Sequence, residues 1–426
     1  MITPALAYTA MWVIISISML LMLIRPRNIP ETYWISAGVL LLLSFRLITP
    51  QLALHAAAKA IDVCLFLIGM MLLSELAREH GVFDWLSSLA MRAADGSCSR
   101  LFALVYIVGT VVTIFMSNDA TAVVLTPAIL TAVRKTKVQP LPYLFVCAFV
   151  ANAASFLLPI SNPANLVVFQ GAMPPLASWL IAFAVPSLLS IVTTFLVLRF
   201  LLRKELCESI EQRTESTPLN TNGKLVLVSV GIMVAVLLTA SSLGKQLGLP
   251  TCLTALAITA VLCIKEHSNP LALAREISWS TLVLVAGLFV MVDAAESAGA
   301  MDYTKECLLW TQHLGLAAGE FVAGFAVGIG NNLVNNLPLG LLVGSAVHAA
   351  HASRSMAAAV LIGVDLGPNL SITGSLATIL WLIALRREKL DVTFLDFLKV
   401  GAIAMPIALI AALCGSILMK VFFGIS

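Results

Sequence analysis

An all-α polytopic membrane protein, an inverted repeat of about ten spanning helices with two re-entrant hairpins and discontinuous helices, is the architecture this sequence predicts. Three observations predict it. The 426 residues are 60% hydrophobic and only 11% charged, with a mean hydropathy of +1.00, against ~45–50% apolar and ~25% charged in soluble domains. Apolar runs long enough to cross a bilayer follow one another almost end to end. Two further runs, too long for one span, are broken at matching places by Asn and Pro.

Spans are expected at Tyr8–Ile24, Trp34–Thr49, Lys59–Leu76, Pro142–Gly171, Trp179–Leu202 and Lys224–Leu243. The second half continues with Thr251–Ile264, Trp279–Glu296, Met356–Leu385 and Phe397–Val421. The first run ends at Arg25-Pro-Arg27 without a small-residue cleavage pattern, so it is expected as a retained helix. The two interrupted runs, Leu101–Val133 and Leu316–Ala350, are expected to enter and leave on the same side.

Charge placement tests that topology. With the N-terminus outside, inner loops collect Arg25, Arg27, Arg78, Arg134, Lys135, Lys137, Arg203, Arg213, Lys265, Arg275 and Arg386, while the outer side holds scattered residues such as Lys59, Lys245, Lys305 and Arg354. The asymmetry holds only if both interrupted runs are hairpins. The expected organisation is an N-terminal span (1–32), a first repeat (33–203, hairpin 101–134), a cytoplasmic linker with a connecting helix (204–249) and a second repeat (250–426, hairpin 313–350). A multi-pass inner-membrane location follows.

The halves align at an offset of 218: Gly69 falls on Gly287, Gly81 on Gly299, Asp84 on Asp302 and Asn118 on Asn336. After a five-residue deletion the offset is 213, and Asn152 meets Asp365, Asn162 meets Ser375 and Asn165 meets Thr378. The extra span Lys224–Leu243 starts the second half from the opposite face, so the repeat is inverted, as in alternating-access carriers.

Four segments combine polar residues with helix breakers: 117–121 (SNDAT), 161–165 (SNPAN), 335–338 (NNLP) and 365–378 (DLGPNLSITGSLAT). A broken helix exposes backbone groups that hydrocarbon cannot satisfy, and neighbouring Asn, Ser and Thr can cap them, as can a polar substrate. Asn118, Asn162, Asn336 and Ser375 are the expected binding centre, with Asn165 and Thr378 beside it; the bland alternative is that these side chains only cap half-helices. Asp119 and Asp365 are the expected ion or proton carriers, since an intramembrane Asp is costly and usually functional; each could instead be an N-cap. No Lys or Arg lies near the breaks in sequence, which favours a small neutral polyol-like solute over an anion.

Other chemistries find little support. The motifs GxxxxGK[ST], HExxH and GxSxG are absent, so the chain does not itself hydrolyse ATP. The eight cysteines form no CxxC pair, and the six histidines fall near span ends or loops with no metal-ligand spacing. Neither a membrane-embedded enzyme nor a nucleic-acid partner is expected, and no cofactor. A passive channel remains open, because a sequence does not show whether two gates open together.

At these residues the sequence resembles the arsenite efflux permeases of the ArsB type, within the wider ion transporter superfamily. The resemblance covers almost the whole chain and is carried by SNDATAVVLTP at 117–127, SNPANLV at 161–167, NNLP at 335–338 and DLGPNLSITGSLATILW at 365–381. It implies export of arsenite and antimonite driven by the proton motive force, and some members work with a separate soluble ATPase. Arsenite is then uncharged As(OH)3, whose hydroxyls Asn amides can meet as donors and acceptors. An uncharged solute gains nothing from the membrane potential, so uphill export needs a coupled ion. Similar permeases often carry Asp where this chain has Asn152, which leaves proton carriage to Asp119 or Asp365. The rival on the same architecture is a sodium-coupled dicarboxylate carrier or a sodium/proton antiporter.

Overall fold

The computed structural model describes residues 4–136, 138–169, 173–206, 218–269, 273 and 275–423. Most of the expected linker, with Arg213 and Cys207, lies outside them, as does Lys137. The described chain is helical throughout, and its surface is studded with large apolar side chains such as Leu20, Leu188, Ile232 and Val261. This is the pattern of a molecule whose outer solvent is lipid.

The first half runs α1 (Pro4–Ile24), α2 (Glu31–Ser44), α3 (Pro50–Lys59), α4 (Ile61–Glu79), α5 (Val82–Ala94) and α6 (Cys98–Phe115). It continues through α7 (Asn118–Ala120), a π turn at Thr121–Leu125, α8 (Thr126–Arg134), α9 (Leu141–Ala153), α10 (Pro163–Phe169) and α11 (Leu176–Leu201). Then come α12 (Thr221–Ser242), α13 (Gly248–Glu266), α14 (Trp279–Ser297), α15 (Ala300–His313), α16 (Leu316–Val334), α17 (Asn336–Ala349), α18 (Arg354–Leu366), α19 (Leu376–Arg387) and α20 (Phe394–Phe423).

Among the described residues eight helices are long and apolar enough to cross a membrane, or nine if α3 and α4, bent by 44°, count as one span. Two of the eight, α6 and α16, are the first limbs of the interrupted runs. Helix α5 packs on both α6 and α8, and α15 packs on both α16 and α17, so each interrupted run folds back on itself as a hairpin. The expected spans Pro142–Gly171 and Met356–Leu385 are each two half-helices meeting at an irregular break. The expected span Trp34–Thr49 is shorter than the sequence reading. It stops at Ser44, and Thr49 caps a separate helix by accepting from Leu52 N at 3.1 Å, with Pro50 at its first position.

The repeat is exact at the level of helix starts. Helices α4, α5, α6 and α7 begin at residues 61, 82, 98 and 118; α14 to α17 begin at 279, 300, 316 and 336, each 218 later. Helices α9 and α10 begin at 141 and 163, and α18 and α19 at 354 and 376, each 213 later. Ser117 and Asn335, repeat mates just ahead of the hairpin returns, both hold positive φ (150° and 82°).

Close packing of the second hairpin depends on glycine. Gly324 and Gly328 on α16 face Gly363 and Gly367 at the end of α18, the small-xxx-small spacing that lets two backbones touch. A Cβ on Gly363 would meet the Gly324 carbonyl oxygen, and one on Gly367 the Gly328 carbonyl oxygen. Gly363→Ala should therefore lower thermal stability in detergent by ~1–3 kcal/mol through overpacking. Gly231→Ala on α12, where a Cβ meets nothing within 4 Å, should leave the melting temperature unchanged or raise it.

Candidate functional site

Four helix starts meet at the centre of the molecule, one at each break. Each is capped by a side chain belonging to that break. Ser117 Oγ accepts from Ala120 N (3.2 Å), Asn162 Oδ1 from Ala164 N (3.0 Å), Asn335 Oδ1 from Leu337 N (3.4 Å) and Ser375 Oγ from Thr378 N (3.1 Å). The caps are repeat mates, Ser117 with Asn335 and Asn162 with Ser375, so the same local device is used four times.

With the caps so assigned, Asn118 and Asn336 are left over. Both are buried, both line a small central cavity of about 20 Å³, and the Oδ1 atom of each has no hydrogen-bond partner. Asp119, Asn162 and Ser375 line the same cavity, closed on its apolar side by Leu67, Val285 and Leu337. None of its lining side chains is cationic. A buried carboxamide oxygen without a partner loses hydrogen-bond energy unless something else occupies the space. Two such oxygens, on repeat-related residues that line one cavity, are candidate acceptors for a small donor.

The remaining expected site residues stand differently. Asn165 points into its own break, where its Nδ2 donates to the carbonyls of Ser155 (2.9 Å), Leu158 (3.3 Å) and Pro159 (3.3 Å). Thr378 completes a capping box with Ser375 and donates to the Ile372 carbonyl (2.9 Å). Neither lines the cavity. Asp365 lies one layer behind, fully buried, with Oδ1 accepting from Asn162 Nδ2 at 2.8 Å and Oδ2 unpartnered. Asn152 donates to Asn369 Oδ1 (2.9 Å), and Asn369 donates to the Phe149 carbonyl (3.0 Å). Both links join the two halves.

Sequence reasoning passed over Asn331 and Asn332. Asn331 Nδ2 donates to the Gly363 and Val364 carbonyls at 2.9 Å each, and Asn332 Nδ2 to the Gly367 carbonyl at 3.0 Å. They satisfy the open end of α18 from the neighbouring hairpin. The doubled Asn pair in GNNLVNNLP was the available signal.

Two larger cavities flank the site. One of about 180 Å³, here the inner cavity after the side the charge pattern predicts, shares Leu67, Asp119, Pro163, Thr281 and Leu376 with the central cavity and reaches Glu75, which pairs with Arg78, and Glu276. The other, about 610 Å³ and here the outer cavity by the same expectation, is lined by Lys59, Asp62 and Asp293 among others, at the opposite ends of the same helices. From the inner cavity to the outer one, α4 residues fall in number (Glu75, Leu67, Val63) while α14 residues rise (Thr281, Val285, Phe289). The two repeat mates thus run antiparallel, which is the inversion seen directly.

Known proteins bear on this arrangement. An arsenical pump membrane protein of Escherichia coli is 26% identical over 351 residues, spanning 79% of this chain and 81% of its own. A protein of the same description from Yersinia enterocolitica is 27% identical over 351 residues, with the same shares. An uncharacterized transporter of Synechocystis is 23% identical over 424 residues, covering 92% of this chain and 93% of its own. Among solved structures, the YdaH transporter of Alcanivorax borkumensis superposes with a TM-score of 0.56 over 87% of each chain at 14% identity, a likeness of fold. The family model described as citrate transporter matches residues 13–368. This multi-pass membrane protein therefore belongs to the citrate transporter family.

Proposed function

We propose that the chain exports trivalent arsenic, as As(OH)3, and the corresponding antimony species across the inner membrane by proton antiport through alternating access. The observation that carries the reading is the pair Asn118 and Asn336, repeat mates that line one cavity and whose buried carboxamide oxygens have no partner. A neutral trihydroxide brings the donors they lack. The absence of a cationic lining side chain favours a neutral solute. The likeness to arsenical pump membrane proteins supports the same substrate class.

In this reading Asn162 and Ser375 shape the cavity while capping their helices. Asp119 faces both the central and the inner cavities, so it can exchange protons with the inner side. Asp365 acts through Asn162: a proton on its carboxyl weakens the acceptor that holds the Asn162 amide, and the amide then reorients toward the cavity. Proton occupancy and substrate occupancy are thereby tied to one side chain. The proton motive force supplies the energy without a cofactor, and a separate soluble ATPase is an optional partner.

The family description favours a second reading, a carboxylate carrier, in which four converging helix starts receive the anion. The central cavity, with room for about one water-sized group, fits As(OH)3 after small adjustment and a tricarboxylate only after a large one.

Everted membrane vesicles should accumulate arsenite under an imposed proton gradient in sodium-free buffer, and a protonophore should abolish it. Citrate uptake with no arsenite transport would decide for the second reading. Asn118→Ala and Asn336→Ala should each remove most transport at unchanged membrane abundance; retained transport in both sinks the assignment. Stability separates binders from caps. Asn165→Ala strands three backbone carbonyls and should lower stability by ~1–3 kcal/mol. Asn118→Ala, which breaks no hydrogen bond at its Oδ1 atom, should leave the melting temperature within a degree or two of the parent, about the scatter of a surface change.

A further inference from the structure

The central and outer cavities are stacked along the same four walls at a spacing of one helical turn. The central cavity is lined by Leu67, Val285, Leu337 and Pro163. Four residues along each helix, toward the outer side, stand Val63, Phe289, Leu341 and Val167, which line the outer cavity. Four residues is ~6 Å of helix. All of these except Pro163 are apolar side chains no more than 9% exposed, and no polar side chain of the two linings lies within the layer. Outward of it the lining becomes polar, with Asp62 next to Val63 and Lys59, Asp293 and Ser345 a further turn on. Lys59 is partly exposed, with 43% of its side chain reachable, so this cavity reaches the surface.

The inner cavity differs, because it shares five lining residues with the central one and no such layer separates them. The structure is thus open toward the inner side and closed toward the outer.

We propose that Val63, Val167, Phe289 and Leu341 form the outer gate of the transport path, that the outer cavity is the release vestibule, and that the Lys59–Asp293 ion pair latches the gate. The pair joins Lys59, at the bend between α3 and α4, to Asp293 on α14 at 2.8 Å, one turn beyond Val63 and Phe289. It fixes the relative register of two of the four gate walls. Asp62 holds the same end by accepting from Gly248 N at 2.9 Å. An apolar constriction of this kind excludes water and ions until its walls part.

The proposal rests on reading the central cavity as the transport site, but its test needs no arsenite. In proteoliposomes of the full chain, proton leak is followed with a trapped pH-sensitive dye under a clamped potential. Phe289→Ala combined with Leu341→Ala should raise the leak about tenfold by removing the dewetted constriction. Lys59→Met should raise it less. Val283→Ala, on the lipid-facing side of α14, should not change it. A double variant as tight as the parent at equal reconstituted amount overturns the gate, whatever arsenite does; a leaky variant whose parent moves no arsenite keeps the gate and overturns the substrate.

If the double variant fails to reconstitute, sidedness decides. An impermeant maleimide added outside should label Ser345→Cys and not Ser74→Cys, over the rate set by the parent's exposed Cys307 and Cys414. Labelling of Ser345→Cys from the inner side alone overturns the vestibule.

Discussion

Backbone groups left open at the broken helices govern the rest of this molecule. In hydrocarbon an unsatisfied N–H or C=O costs several kcal/mol, so a break survives only where protein or a polar cavity meets it. The chain meets this demand twice over. At each helix start the break's own side chain caps an amide, through Ser117, Asn162, Asn335 or Ser375. The carbonyls of each break are taken by side-chain amides: Asn165 takes those of its own break in the first half, while Asn331 and Asn332 reach the end of α18 from the neighbouring hairpin in the second. Those cross-links require close backbones, which explains the glycine pairs between α16 and α18. What the caps leave over, Asn118 and Asn336, lines the central cavity with unpartnered carboxamide oxygens.

Much of this was legible in the residues. The offsets of 218 and 213 read from side-chain identities alone reproduce the helix starts residue by residue. They do so because a repeat preserves its breakers, and Asn, Pro and Gly mark helix ends physically rather than statistically. The cavity lining was legible for the same reason. Asn118 and Asn336 occupy the first position after a cap, so their side chains project from the helix start itself. The division between Asn162 and Asn165, or Ser375 and Thr378, was not legible. Three residues separate each pair, nearly one turn, and which of the two faces the cavity depends on how the break before it is folded. The short helix Pro50–Lys59 was missed because ten residues carrying Gln51, His55 and Lys59 are too short and too polar to read as a span, and only Thr49-Pro50 betrays a new start.

The two halves are not equivalent, and the differences are chemical. Asp365 has Asn152 as its repeat mate, so one half carries a carboxyl where the other carries an amide. At the outer end of the second half, Lys420 bridges Glu320 (2.6 Å) and Ser355 (2.9 Å), tying α20 to α16 and α18. The mates of Glu320 and Ser355 in the first half are Phe102 and Pro142, and Phe102 packs on Tyr143 and Phe195 instead. A pair of ions buried in a bilayer is held by geometry more than by net stability. The second hairpin is thus fixed by directional bonds where the first is fixed by ring packing.

Charge balance at the centre follows from this asymmetry. Four helix starts present partial positive charge to one small space, and no cationic side chain adds to it. Asp119 faces the space directly, and Asp365 reaches it through Asn162. With both carboxylates ionised the helix starts are offset. With a proton on either, the balance moves toward positive. The number of acids facing the centre, and their protonation, therefore set how far the four helix starts are offset, while the size of the cavity sets separately how large an occupant fits.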